Sequence, residues 1–235
     1  MMFFKRMNEK RAILIIHGFA GGTYDEEMLA NKLELSGYDV YTFTLPGHEK
    51  SILKKVTKKE WIDKCKNELE TLINHGYKKI YLIGHSMGGV LASLLASNYK
   101  EVTKLVLAAP AFKYLTFEEE NFELLNAIKN SPKLFKDYKV DDIISRMLQF
   151  PASVVKEFMD LVSESQELPS KITCPTLLIQ GSDDLVVPVK SSEYVFDNLK
   201  SKDKKIIILD GITHDIFRSK ELDNLTNIIK EFLDK

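Results

Sequence analysis

The chain has 235 residues, 44% of them hydrophobic, which fits one domain built around a large single core. Its 33 basic and 34 acidic residues leave a formal net charge of -1, and lysine pairs such as Lys54-Lys55 and Lys58-Lys59 sit beside acids in amphipathic segments, so no electrostatic case exists for a nucleic-acid partner. The opening MMFFKRMNEK holds neither a signal-peptide apolar core of about 7–15 residues nor a stop-transfer stretch of about 18, so no integral membrane segment and a cytoplasmic location are expected.

In chain order, short β-branched runs alternate with longer periodic stretches, the pattern of a parallel sheet wrapped by helices. AILIIH (12–17) is the first strong strand, and a glycine-rich loop, HGFAGG (17–22), follows it. Residues 25–36 place Met28, Leu29, Leu33 and Leu35 near one helix face before Gly37, a natural stop. After the strand YDVYTF (38–43) comes Pro46-Gly47-His48, then a helix over 58–75 carrying Trp61, Ile62, Cys65, Leu69 and Leu72 before Gly76. KIYLIG (79–84) leads through Gly84-His85-Ser86-Met87-Gly88 into a helix beginning near Gly88, and KLVLAA (104–109) follows. TLLIQG (176–181), KIIILD (205–210) and a helix over 220–234 complete the order. The strands are near-continuously apolar, as strands covered on both faces must be. Ahead of Ala12 there is room for at most one hairpin-like strand, MFFKRM, so seven strands or fewer are expected. Cys65 and Cys174 lie far apart and read as unpaired structural residues.

Ala111 to Thr173 breaks the alternation, with aromatic-rich helical sequence and no strand-like run. We read 111–173 as a helical cap inserted into a core made of 1–110 and 174–235. Thr116 and Glu119 have the spacing of a capping box, which would start a helix at Phe117 carrying Phe122, Leu125 and Ile128. Phe135, Tyr138, Ile143, Ile144, Met147, Phe150, Phe158 and Met159 pack this subdomain or line an acyl pocket. A layer over the carboxyl ends of the strands would cover an active site there.

Ser86 sits between a central strand and a helix, in the pattern of a nucleophile elbow. Gly84 and Gly88 flank it because a side chain at either position would clash where strand and helix backbones meet. The turn would aim the Met87 amide, at the helix N-terminus, toward an oxygen that becomes negative during attack. A serine needs a base, and the base needs an orienting acid. GSDDLVVP (181–188) and GITHDIF (211–217) supply them in the order Ser, Asp, His, each at a strand end. His214 is the candidate base. His17 at a strand end, His48 in a loop, His75 at a helix C-terminus and His85 beside the nucleophile have duller explanations. Asp184 is the candidate acid, with Asp183 as a turn residue and Asp215 as a local or solvated group. The HGFAGG loop offers Phe19 N–H as second oxyanion donor. Its bland alternative is a plain turn in which Gly18, Gly21 and Gly22 supply positive φ.

Together HGFAGG, GHSMGG, GSDDLVVP and GITHDIF resemble the α/β-hydrolases, especially small carboxylesterases and monoacylglycerol-lipase-like enzymes. The resemblance spans nearly the whole chain. It implies a mostly parallel sheet, eight-stranded in the full fold, with helices on both faces and a cap between strands six and seven, which in this chain is read after the fourth strong strand. It further implies Ser86, Asp184 and His214 as triad, Phe19 and Met87 as oxyanion hole, and no metal or organic cofactor. In the family pattern the acid stands three residues after a glycine and before a hydrophobic-Pro pair; Gly181 and Val187-Pro188 select Asp184. One departure is Glu49 after Pro46-Gly47-His48, where the family often has glycine.

The expected activity is hydrolysis of carboxylic esters with short- to medium-chain apolar acyl groups, monoacylglycerols among them, through an acyl-enzyme on Ser86. The alternatives are an acyl thioesterase, a carbon-carbon bond hydrolase or lyase, and a non-catalytic small-molecule receptor. Lys113, Lys129, Lys133, Lys136 and Lys139 cluster in the cap without making an obvious phosphate or carboxylate grip. The expected partner is a small-molecule ester, and the oligomeric state is open between monomer and dimer.

Overall fold

The structure, a computed structural model, describes residues 11–49, 55–113, 146–147 and 149–235. Strands β1 (Arg11–Ile16), β2 (Asp39–Thr42), β3 (Lys79–His85), β4 (Val102–Ala108), β5 (Thr176–Gly181) and β6 (Lys204–Leu209) pair in parallel, in the order β2-β1-β3-β4-β5-β6. Helices α1 (Thr23–Leu35), α2 (Lys58–Asn74), α3 (Met87–Asn98), α4 (Ala152–Glu164), α5 (Val189–Asn198) and α6 (Leu222–Asp234) connect or follow them. MFFKRM, the Thr116/Glu119 capping box, the helix expected from Phe117, Phe135, Tyr138, Ile143, Ile144 and the lysines from Lys129 to Lys139 lie outside the described residues.

The pleat sends alternate side chains to opposite faces, and each face builds its own core. Ala12, Leu14 and Ile16 meet Trp61, Leu69, Leu95 and Phe158, whereas Ile13 and Ile15 meet Leu29, Leu33, Leu225 and Ile229. Helices therefore cover both faces. The outermost strands depart from the expectation of full cover: Asp39, Tyr41 and Thr42 on β2 and Lys205 and Ile208 on β6 are exposed. These two strands are the edges of the described sheet, where helical cover runs out.

Thr57 caps α2, accepting from the Glu60 amide while the Glu60 carboxylate accepts from the Thr57 amide, and Gly37 and Gly76 follow their helices at φ 91° and 90°. One helix face differs from expectation. On α1 the buried stripe is Glu26, Leu29, Ala30 and Leu33, at helical spacing, whereas Met28 and Leu35 are 55% and 90% exposed. A carboxylate thus takes the place on the stripe that the sequence suggests for an apolar side chain.

Strand order reverses beside β1, since β2 lies on one side of it and β3 on the other. The loops leaving the carboxyl ends of β1 and β3 meet there, at the usual ligand position in such sheets. Those loops are HGFAGG and GHSMGG. Their approach depends on a missing side chain: a Cβ at Gly88 would stand 2.0 Å from the Ile16 carbonyl oxygen, and one at Gly84 2.4 Å from that of Gly88. Both obstacles are main chain, which cannot step aside cheaply. We expect Gly88→Ala to lose at least about 3 kcal/mol of stability in urea denaturation; an unchanged midpoint would contradict this packing.

Candidate active site

Ser86 is the N-cap of α3 and adopts φ 54° and ψ -119°, a left-handed conformation rare for a residue with a Cβ. Such strain costs about 1–3 kcal/mol and persists only where neighbours hold it. Here the Ser86 amide donates to the Ala108 carbonyl at 2.9 Å, and the Ser86 carbonyl accepts from the Gly89 and Ala111 amides at 2.9 and 3.2 Å. The helix starts at Met87, one residue earlier than expected, so the Met87 N–H is one of the first-turn donors without an intrahelical acceptor. Ser86 itself is 5% exposed.

Asp184 and His214 meet in the interior. Asp184 Oδ2 accepts from His214 Nδ1 at 2.7 Å, and both side chains are fully buried. Three more donors fill the carboxylate: the Val186 and Val187 amides at 2.8 Å each on Oδ1, and Gln180 Nε2 at 3.0 Å on Oδ2. Burial alone would raise the Asp184 carboxyl, but His214 and these amides outweigh it and hold Asp184 below the usual carboxylate value. An ionised carboxylate only accepts, so Nδ1 carries a hydrogen, and in the neutral ring the lone pair is then on Nε2. Among the described residues, Nε2 has no hydrogen-bond partner. The two loops can touch because Gly181 lacks a side chain; a Cβ there would stand 2.1 Å from the Ile212 carbonyl oxygen. Asp183, by contrast, is exposed and accepts from the Ser182 hydroxyl at 2.8 Å.

The HGFAGG loop lies against the serine, since a Cβ on Gly18 would be 3.0 Å from Ser86 Cβ and 3.6 Å from Oγ. A plain turn does not account for its glycines: none of the three has positive φ, and the left-handed residue is Ala20 at φ 57°. Close approach explains them instead. Among the described residues neither the Phe19 nor the Met87 amide donates to a protein acceptor. His17 fixes the loop's base, its Nδ1 donating to the Gly18 carbonyl at 2.8 Å and its Nε2 accepting from the Leu45 amide at 3.0 Å.

That bonding leaves His17 no room for a second proton, and burial lowers its pKa to about 3; burial likewise lowers His48 to about 4. The unfolded chain takes up these protons near 6.5 and the folded one does not, so stability present above that pH declines as pH falls toward 4. Each unit of depression corresponds to about 1.4 kcal/mol. Urea midpoints should therefore fall steadily over that window, and flat midpoints would contradict neutral, buried imidazoles.

A family model described as Hydrolase_4, serine aminopeptidase S33, matches residues 7–221. The chain belongs to this family. Carboxylesterase of Bacillus subtilis (strain 168) is 26% identical over 230 residues, covering 96% of this chain and 93% of the relative. Monoacylglycerol lipase of Mycolicibacterium smegmatis is 24% identical over 250 residues, covering 94% and 88%. A solved structure reported for LipS and LipT, two metagenome-derived lipolytic enzymes, superposes with a TM-score of 0.78 at 19% identity, covering 96% of this chain and 94% of that one. The fold is that of the α/β-hydrolases.

In this hydrolase the Phe19 ring stacks on Phe158 of α4 (centroids 4.9 Å apart, planes 7° apart) and lies 4.7 Å from Phe150 and 6.0 Å from Trp61. The segment after the fourth strand thus reaches the glycine-rich loop through aromatic contact. Polar contact adds to it: Arg146 Nη1 donates to Asp25 Oδ2 at 2.8 Å and to the Tyr24 hydroxyl at 2.9 Å, and Arg218 Nη1 lies 3.4 Å from Asp25 Oδ1. Asp215 is 4.0 Å from Arg146 Nη2. His75 is the C-cap of α2, and both cysteines are free. Burial pushes the Cys174 thiol up to about 11 and Cys65 higher still.

Sequence reasoning missed three supports of the site. Gln180 is one, its Oε1 accepting from Ser192 at 2.7 Å while its amide holds Asp184. His17 is the second. The third is a buried pair, Glu26 and His85. The only sequence signal for Glu26 was its place three and seven residues before Leu29 and Leu33.

Proposed function

We propose that the chain hydrolyses carboxylic esters through an acyl-enzyme on Ser86, with His214 as general base, Asp184 as its orienting acid, and the Phe19 and Met87 amides as oxyanion hole. It is a carboxylic ester hydrolase of the α/β-hydrolase fold, as its family and its carboxylesterase and monoacylglycerol lipase relatives support. The observation that carries the assignment of roles is the buried Asp184–His214 pair, bonded through Nδ1, with no partner on Nε2 among the described residues.

In the acylation step Nε2 removes the Ser86 hydroxyl proton as Oγ bonds to the ester carbonyl carbon. The carbonyl oxygen gains the charge and is met by two amide donors in a dry site, where they act strongly. As the intermediate collapses, the alcohol leaves with the proton from His214. Water then repeats the sequence: His214 takes its proton, hydroxide adds to the acyl carbon, and the acid departs as Ser86 regains its hydrogen. Asp184 stays ionised throughout and supports the transient imidazolium.

The substrate is an ester of a short- to medium-chain apolar acid, monoacylglycerols included. Phe19, Phe150 and Phe158 support this, since their packed rings make the surroundings of the glycine-rich loop apolar. Residues 111–173 act as the cap that selects what enters. Among the described residues no helix is long and apolar enough to cross a membrane. Cytoplasmic location fits two free thiols kept reduced.

Steady-state rates on p-nitrophenyl esters from acetyl to palmitoyl, beside matched acyl-CoA thioesters, test the substrate class. We expect ester turnover with a maximum at one chain length. Faster turnover of thioesters would replace the assignment with an acyl thioesterase, and no turnover of either would leave carbon-carbon cleavage or a receptor role.

A further inference from the structure

His85, the last residue of β3, lies directly before Ser86 and reaches across to the loop of His214. Its Nε2 is 3.0 Å from the His214 main-chain carbonyl oxygen, and its Nδ1 is 3.1 Å from Glu26 Oε1. A carbonyl oxygen only accepts, so Nε2 carries a hydrogen and donates it. Nδ1 and Glu26 Oε1 must then share one further proton, because neither bare nitrogen against carboxylate nor two hydrogens between them makes a bond. The pair is an imidazolium with a carboxylate or a neutral imidazole with a carboxylic acid, and both forms leave the same Nε2–H on His214.

The pair is closed off from water: His85 is 5% exposed and Glu26 1%. The His85 and His214 rings pack with centroids 4.9 Å apart, and Phe217 meets His85 edge-on at 5.6 Å. Burial raises the Glu26 carboxyl; burial works against a proton on His85, and Glu26, the His214 carbonyl and Asp215 together more than offset it. Asp25 acts on Glu26 and Asp215 on His85 through their charges.

A buried carboxylate and imidazole are costly to keep in a helix-sheet interface where an apolar pair would pack. Their placement joins three elements that the chemistry needs in register: the first turn of α1, the strand carrying the nucleophile, and the loop carrying the base. We propose that Glu26 and His85 are a positioning pair, in which the Glu26 carboxyl fixes the His85 ring so that its Nε2–H holds the His214 backbone. His214 is then held at both ends, by Asp184 at its side chain and by His85 at its main chain. This rests on His214 being the general base.

The test uses the double variant Glu26→Leu/His85→Phe, which removes both polar groups and keeps a ring against His214, so that no buried charge is stranded. We expect kcat to fall by about 10- to 100-fold, the scale of a small misplacement of a catalytic group, with KM changed less than about threefold. The downfield proton NMR signal of the His214–Asp184 hydrogen bond should broaden or shift in this variant. Glu26→Gln alone, whose amide can donate to Nδ1, should keep more of kcat than Glu26→Leu. A double variant with kcat within about twofold of the parent, or one whose loss matches its unfolded fraction while the downfield signal is unchanged, would overturn the proposal. Its failure is separable from failure of the triad. If His214 is not the base, His214→Ala retains turnover; if only the positioning pair is wrong, His214→Ala is inactive and the double variant is not.

Discussion

Ser86→Ala should reduce ester turnover by at least about 10⁴-fold with the fold intact, the largest effect expected of any single substitution here. The hydroxyl is the only group of the protein that forms a bond to carbon in the proposed mechanism. What would remain is the modest acceleration from binding the ester against two amides, which activates no nucleophile. The folded protein should be no less stable, because the strain at φ 54° belongs to the backbone and alanine has the same Cβ. Circular dichroism and urea midpoints matching the parent, beside lost hydrolysis of p-nitrophenyl butyrate, are the expected pair of results. A variant still turning over at parental rate would remove Ser86 from the mechanism.

Asp184→Asn and Asp183→Asn should separate sharply, although the residues are adjacent. The Val186 and Val187 amides donate to Asp184 Oδ1, so an asparagine would turn its carbonyl oxygen toward them and its NH₂ toward His214 and Gln180. Two donors would then face each other on the Gln180 side, and His214 would have to accept at Nδ1 and carry its proton on Nε2. That tautomer cannot take a proton from Ser86. A loss of roughly 10⁴-fold in kcat follows, the scale measured for the same replacement in the serine protease triad. Asp183 is exposed and bonded to its neighbour Ser182, so Asp183→Asn should stay within about twofold. The reverse outcome would move the acid by one residue.

Much of this architecture is legible in the sequence. The six strong strands are all found in the sheet, with no end shifted by more than two residues, because near-continuous β-branched runs leave little choice of conformation. Met28 and Leu35 were misplaced because two overlapping stripes fit α1, and only tertiary packing decides between them. At the site, the strand-end positions of Ser86, Asp184 and His214 could be read from motif order. Gln180, His17 and Glu26 could not. Each acts through a partner distant in sequence or hidden on the far side of a turn, and a polar residue that supports another polar residue leaves no periodic trace.

Glu26 also shows how a local rule misleads. An acid in the first turn of a helix ordinarily faces water and complements the helix dipole. Here it is buried because position 26 lies on the apolar stripe and His85 stands opposite to receive it.

The central claim is a single activated serine, and the most direct measurement is labelling with diethyl p-nitrophenyl phosphate, followed by peptide mass spectrometry and residual esterase activity. One diethylphosphoryl group per chain is expected, on Ser86, with activity lost in proportion to labelling and no label in His214→Ala. Label on another residue, or full ester turnover after Ser86 is phosphorylated, would contradict it.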